Sequence, residues 1–91
     1  GGFMIVKALG KEWNVNDCTH PERRILHYLN LEIWVDGKQN IKAYGKLLDE
    51  VERISGLSED HFKEMSMTDI DKVLQAIFID YFSLSKKAAG E

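Results

Sequence analysis

Three side chains in the first third of the chain are the nearest approach to a metal site. Cys18, His20 and His27 are of types that bind zinc, but a structural zinc site needs a fourth ligand at close spacing, and His61 lies far along the chain. As a nucleophile, Cys18 would need a neighbouring base and an oxyanion hole, and no pattern marks either. We therefore expect a structural thiol, no metal and no cofactor.

Carboxylates are frequent in the second half of the chain, but most of them fall at predicted helix starts. The group comprises Glu59, Asp60, Glu64, Asp69, Asp71 and Asp80. Because the helix dipole favours negative charge at a helix N-terminus, capping is their ordinary explanation. Glycine-rich phosphate loops and serine-centred nucleophile motifs are absent. We expect that the protein is not an enzyme.

Composition predicts one soluble domain of 91 residues with a net charge of −3. The predicted domain covers residues 3–85, with Gly1-Gly2 as an expression remnant and residues 86–91 as a polar tail. The acidic balance argues against nucleic-acid binding. The single cysteine excludes an intrachain disulfide. No long apolar run or signal peptide is visible, so we expect a cytoplasmic protein without membrane contact.

The stretch from Thr68 to Phe82 carries the longest helical pattern and the densest apolar content. Thr68 is the predicted cap, followed by Asp69 and Asp71 in the first turn. The apolar residues that recur at three and four positions are Ile70, Val73, Leu74, Ile77, Phe78 and Tyr81. This spacing predicts a helix with one buried side, which needs partners elsewhere in the chain.

The N-terminal stretch from Phe3 to Val15 predicts a β-hairpin with a type II′ turn at Gly10-Lys11. In that register Ala8 faces Trp13 and Val6 faces Val15, while Leu9 pairs with Glu12 and Lys7 with Asn14 on a partly wet face. The alternative is an extended arm that docks only on a partner, because an isolated hairpin is marginal in water.

Thr19 and Glu22 form a predicted capping box for the next helix, with His20 as the alternative cap because of Pro21. Its expected core residues are Ile25, Leu26, Leu29 and Ile33. Leu31 to Val35 also alternates like a strand, so Asp36-Gly37 is either a helix stop or a hairpin turn. We favour helix through Val35.

A further amphipathic helix is predicted from Asn40 to Ser55, ended by Gly56. The inward residues are Ile41, Tyr44, Leu47, Leu48, Val51 and Ile54, and the expected surface pairs are Lys46 with Glu50 and Asp49 with Arg53. Gly45 suggests close packing. Ser58 then caps a short helical turn through Phe62, which gives a mainly α (α+β) fold of three to four helices with an N-terminal β-hairpin.

The helix from Thr68 also carries apolar residues away from its core side. Ile79 projects almost opposite that side, and Phe78 and Phe82 flank the same surface. Either this helix is sandwiched between the others in a monomer, or these residues meet another chain. We predict that Phe78, Ile79 and Phe82 bind a protein partner or a second copy.

Four segments together resemble the small tail assembly chaperones of tailed bacteriophages, particularly marine phages. They are LGKEWNVND, THPERRILHYLN, AYGKLLDEVERISGLSEDHF and MSMTDIDKVLQAIFIDYFSLSKK. The resemblance lies in the length of the chain and the order of its features, namely an N-terminal hairpin, compact helices, acidic charge and a short polar end. No family site is transferred to a residue. It implies a protein of the bacterial host cytoplasm that binds the tape measure protein during tail assembly. Such families also make frameshifted longer forms, with which Lys86-Lys87 is compatible.

The competing hypothesis is a small phage or bacterial regulator that inhibits a host protein. Both hypotheses require apolar and acidic surface. A tape measure gene immediately downstream would favour the chaperone, whereas a position among early genes would favour the regulator.

Overall fold

The computed structural model describes residues 2–35 and 37–90, with side chains described over residues 2–34 and 37–82. Gly1, Asp36 and Glu91 lie outside these residues. The helices are α1 (His20–Ile33), α2 (Ile41–Ser55) and α3 (Met67–Gly90), with a short 3₁₀ helix at Glu59–Phe62 before α3. Strand β1 (Phe3–Ala8) pairs with β2 (Lys11–Asn16), and β3 (Trp34–Val35) pairs with β4 (Lys38–Gln39), both antiparallel. The predicted α+β class is confirmed.

The N-terminal hairpin forms, but in a different register from the predicted one. Val6 lies opposite Trp13 and Met4 opposite Val15, so the predicted pairs are wrong by two residues. The turn is Leu9-Gly10, and both residues have positive φ, 54° and 72°. This is the type I′ pattern, whose twist suits a two-residue hairpin turn.

The inner face of this hairpin is nevertheless the predicted one. A shift of two residues leaves each side chain on its original face, because strand side chains alternate with a period of two. Val6, Trp13 and Val15 are buried, while Phe3 and Ile5 on the outer face are 77% and 61% exposed. Strand β1 packs against α3 and β2 against α2, so the hairpin belongs to the domain and is not an extended arm.

Helix α1 begins with the predicted capping box. The Thr19 hydroxyl accepts a hydrogen bond from the Glu22 backbone N–H (3.3 Å), and Glu22 Oε1 accepts one from the Thr19 N–H (2.8 Å). On its core side, Leu26 and Ile33 are buried and Leu29 is partly buried. Ile25 is 41% exposed at the edge facing α2, so its predicted core position is wrong.

The helix ends at Ile33, two residues earlier than predicted. Trp34 and Val35 instead form β3, and Gly37 has φ +75° in the connection to β4. The Asn40 N–H then donates to the Ile33 carbonyl (2.6 Å), which closes the reversal between α1 and α2. In the sequence, Trp34 and Val35 favour strand and are followed by the Asp-Gly pair, a preferred two-residue hairpin turn, which suits this hairpin better than a helix end.

Helix α2 begins and ends as predicted. The Asn40 side chain accepts hydrogen bonds from the N–H groups of Lys42 (3.1 Å) and Ala43 (3.3 Å), and Gly56 ends the helix in the left-handed conformation. Four of the predicted inward residues, Leu47, Leu48, Val51 and Ile54, are buried. Tyr44 is only partly buried.

Three details of the α2 prediction are wrong. Ile41 is 78% exposed, because it lies at the first position of the helix and borders a groove instead of the core. Gly45 has no atom within 4 Å of where a Cβ would lie, so it marks open space and not close packing. The surface ion pair joins Arg53 to Glu50 at 2.7 Å, three residues apart, in place of the two predicted pairs.

Helix α3 packs against α2 and strand β1, but its cap differs from the prediction. It begins at Met67, and the Ser66 hydroxyl, not that of Thr68, accepts from the Asp69 N–H (3.1 Å). Helical backbone continues past Phe82 to Gly90. Its buried side consists of Val73, Leu74, Ile77 and Tyr81. These residues fill the space between the hairpin and α2, which gives the helix the partners that its apolar side requires.

Candidate protein-binding surfaces

Cys18 and the nearby histidines are the residues of the first third of the chain whose types could bind zinc. The thiol is buried, as predicted, and burial raises its pKa although Arg23 opposes the shift. A protonated thiol is a weak nucleophile. Among residues 2–34 and 37–82, no cluster of three histidine, cysteine or carboxylate side chains is arranged to hold a metal ion.

The three predicted partner-binding residues lie together on α3, and we call them the α3 patch (Phe78, Ile79 and Phe82). Ile79 is 59% exposed. Phe78 and Phe82 are partly buried against the core and contact each other edge to face, with ring centroids 4.8 Å apart. The patch therefore consists of one outward aliphatic side chain beside an aromatic pair that the core holds in place.

A basic cleft adjoins the α3 patch at Phe82. The first two turns of α1 supply the other lining residues, His20, Arg23, Arg24 and His27, around a cavity of about 290 Å³. Arg23 Nε donates to the Tyr81 carbonyl (3.2 Å), and this bond fixes the start of α1 against α3. His20 and Arg24 contact each other at 3.3 Å. Positive charge thus borders one end of the patch.

A second apolar concavity, the α2–α3 groove, was not anticipated from the sequence. Its cavity measures about 300 Å³, and its apolar lining is Ile41, Leu48, Met67, Ile70 and Leu74. Leu48 and Leu74 are buried, whereas Ile41 and Met67 are 78% and 70% exposed at the border. The missing side chain of Gly45 leaves part of the α2 wall open.

Polar groups on the α2–α3 groove are mostly acidic. Asp49, Glu52 and Asp71 belong to its lining, and no described lysine or arginine does. Tyr44 bridges the two helices, since Gln75 Nε2 donates to its hydroxyl oxygen. Partial burial, and secondarily the Asp71 carboxylate, raise the pKa of Tyr44. The groove therefore has an apolar floor, a fixed tyrosine wall and negative charge.

Two features of the sequence bear on this groove. Ile41 lies at the edge of the inward stripe of α2, and Gly45 stands in a helix interior where alanine would be more stable. From the sequence alone, both predict packing within the chain. Their assignment to a groove depends on the position of α3, which α2 alone cannot specify.

Comparison of the chain with known protein families, curated proteins and solved structures gave no match. None of the described helices is both long and apolar enough to cross a bilayer. Function therefore has to be inferred from the surfaces of the chain. Contiguous exposed apolar patches are typical of sites that bind other proteins.

Proposed function

We propose that this protein is a non-enzymatic tail assembly chaperone of a tailed bacteriophage, which binds the tape measure protein through apolar helical surface in the host cytoplasm. The observation that carries the proposal is the exposure of Ile79, 59%, beside the Phe78–Phe82 pair on α3. The family resemblance of the sequence supplies the identity of the partner.

The physical chemistry of the α3 patch suits this role. Large apolar and aromatic side chains dominate binding energy at protein interfaces, often through a few anchors. Because the aromatic pair is already ordered by the core, binding it loses less side-chain entropy than binding a free side chain. A partner with long apolar helices would shield Ile79 from water, and no cofactor or covalent step is needed.

Coexpression with the tape measure protein of the same phage tests this function. We expect the wild-type chain to raise the soluble fraction of the tape measure protein, and Ile79→Asp to abolish that increase. Leu31→Asp is the matched control, since Leu31 is a comparably exposed (56%) aliphatic residue on α1.

Two results would contradict the proposal. One is a soluble fraction that the wild-type chain leaves unchanged. The other is capture of a host protein, with no tape measure protein, through the α3 patch, which would favour the inhibitor hypothesis.

A further inference from the structure

The empty space beside Gly45 is the first feature that indicates a role for the α2–α3 groove. Glycine in a helix interior destabilises the helix relative to alanine. Here a Cβ would meet no atom within 4 Å, so packing within the chain does not require glycine. The space it leaves lies in the groove wall. A partner that approaches the α2 backbone closely would use that space.

The dimensions and openness of the groove indicate what enters it. Small-molecule sites enclose most of their ligand and usually exceed about 300 Å³. The α2–α3 groove is at this lower limit, about 300 Å³, and its border residues Ile41 and Met67 are mostly exposed. It therefore suits a few side chains projecting from a larger partner. An amphipathic helix supplies such anchors at intervals of three and four residues.

The charge of the lining specifies the partner further. Asp49 and Glu52 lie on α2 and Asp71 on α3, so carboxylates occur on both walls. Oppositely charged groups on a partner would be attracted and oriented by this arrangement, whereas acidic groups would be repelled.

We propose that the α2–α3 groove binds an amphipathic helix of another protein, with apolar side chains over Leu48 and Leu74 and lysine or arginine facing Asp49, Glu52 and Asp71. The inference rests on the proposed function in taking the ligand to be a protein. It adds a second binding surface, distinct from the α3 patch, and a charge requirement for its partner.

Two synthetic helical peptides of roughly five turns test the groove on the full chain. They share one apolar stripe at intervals of three and four residues, and differ in having lysine or glutamate beside it. Fluorescence anisotropy should show binding of the lysine peptide that weakens with added salt, and no binding of the glutamate peptide. Amide shifts in the NMR spectrum should change at Gly45, Leu48 and Leu74.

Two variants separate binding from folding. Gly45→Leu fills the groove, and we expect it to abolish binding while keeping or raising the melting temperature, because leucine favours helix. Glu52→Lys should weaken the binding of the lysine peptide about tenfold, because it replaces an attractive charge with a repulsive one. Glu32→Lys on α1 is the matched charge change on a residue that does not line the groove, and it should bind as the wild type.

The proposal is overturned if neither peptide binds, if both bind equally, or if Gly45→Leu leaves binding intact. It is also overturned if Gly45→Leu abolishes self-association of the chain and peptide binding is absent, since the occupant would then be a second copy.

The tape measure assay distinguishes this inference from the proposed function. If the solubility of the tape measure protein depends on Ile79 while neither peptide binds, the result supports the proposed function and contradicts the binding role of the groove. Binding of the lysine peptide without any effect on the tape measure protein would support the groove as a binding site and contradict the proposed function.

Discussion

Gly56 is a residue with two separate reasons for lacking a side chain. Its φ of +81° is strained for any other residue type, and a Cβ there would lie 2.8 Å from Asn16 Nδ2. Gly10, at φ +72°, has no atom within 4 Å of the Cβ position. The two positions therefore separate backbone strain from steric overlap.

We expect Gly56→Ala to lower the free energy of unfolding by more than Gly10→Ala. Backbone strain alone predicts a loss of about 1–2 kcal/mol for Gly10→Ala. The alanine at position 56 must in addition displace the Asn16 side chain. Urea denaturation of both variants measures the difference. Equal losses would mean that the Asn16 side chain moves aside freely.

Tyr81 joins α3 to the hairpin at Asn16, the residue that also lies beside Gly56. Its hydroxyl donates to the Asn16 carbonyl (2.7 Å), and its side chain is fully buried. We expect Tyr81→Phe to lower the free energy of unfolding by about 1 kcal/mol, and more if the carbonyl is left without a partner. Tyr28→Phe, at a 53% exposed residue, is the control and should leave it unchanged at neutral pH.

Ionisation of Tyr81 gives a pH dependence with a definite sign. Burial, and secondarily the nearby Cys18, raise the pKa of the hydroxyl above the usual value of 10.0. The unfolded chain therefore loses this proton at a lower pH than the folded chain, and stability should fall as pH rises above about 10. Tyr81→Phe should flatten that fall in a series of denaturation curves. If the slope of stability against pH is unchanged in Tyr81→Phe, other groups cause the fall in stability.

At the scale of the element, the start of α3 tests which hydroxyl acts as the cap. Ser66 Oγ accepts from the Asp69 N–H, whereas Thr68 is an exposed residue of the first turn. We expect Ser66→Ala to lower the free energy of unfolding by about 1 kcal/mol and Thr68→Ala to leave it nearly unchanged. Thermal denaturation of the two variants decides. A larger loss for Thr68→Ala would restore the cap predicted from the sequence.

Sequence patterns predicted those parts of the fold that depend on neighbours along the chain. The Thr19 capping box, the Gly56 end of α2 and the alternation of the hairpin are all local, and all were correct. The α1 end was wrong because alternation and helical periodicity coincide from Leu31 to Val35.

The proposed binding surfaces are harder to predict from such local patterns. Exposure of Ile79 follows from one helical face, so the sequence located the α3 patch, although its binding role stays a prediction. The α2–α3 groove needs the relative position of two helices that are separated by the 3₁₀ helix and its connections. Ile41 and Gly45 have no distinct meaning until that position is known.

At the scale of the whole molecule, apolar exposure is distributed over several faces. Besides the α3 patch and the α2–α3 groove, the described chain exposes Phe3 and Ile5 on the hairpin and Trp34 in β3. Isolated exposed apolar residues are ordinary on a soluble protein. What distinguishes the α3 patch is that its exposed member adjoins an aromatic pair that packs against the core.

The final prediction is that Ile79, the exposed member of the α3 patch, contributes to association and not to the stability of the monomer. Ile79→Asp puts a charge at a position that is 59% exposed, so the free energy of unfolding should change by less than about 0.5 kcal/mol. Ile77→Asp, two residues away and 0% exposed, should lower it by several kcal/mol because the charge would be buried without a partner.

Sedimentation velocity across a concentration series then measures association directly. If the α3 patch joins copies of the chain, Ile79→Asp should remain monomeric where the wild type associates. If it serves only another protein, both should be monomeric, and only the wild type should retain the tape measure protein. A loss of stability in Ile79→Asp comparable to that in Ile77→Asp would instead place Ile79 in the core, because a charge at an exposed position does not destabilise a fold to that extent.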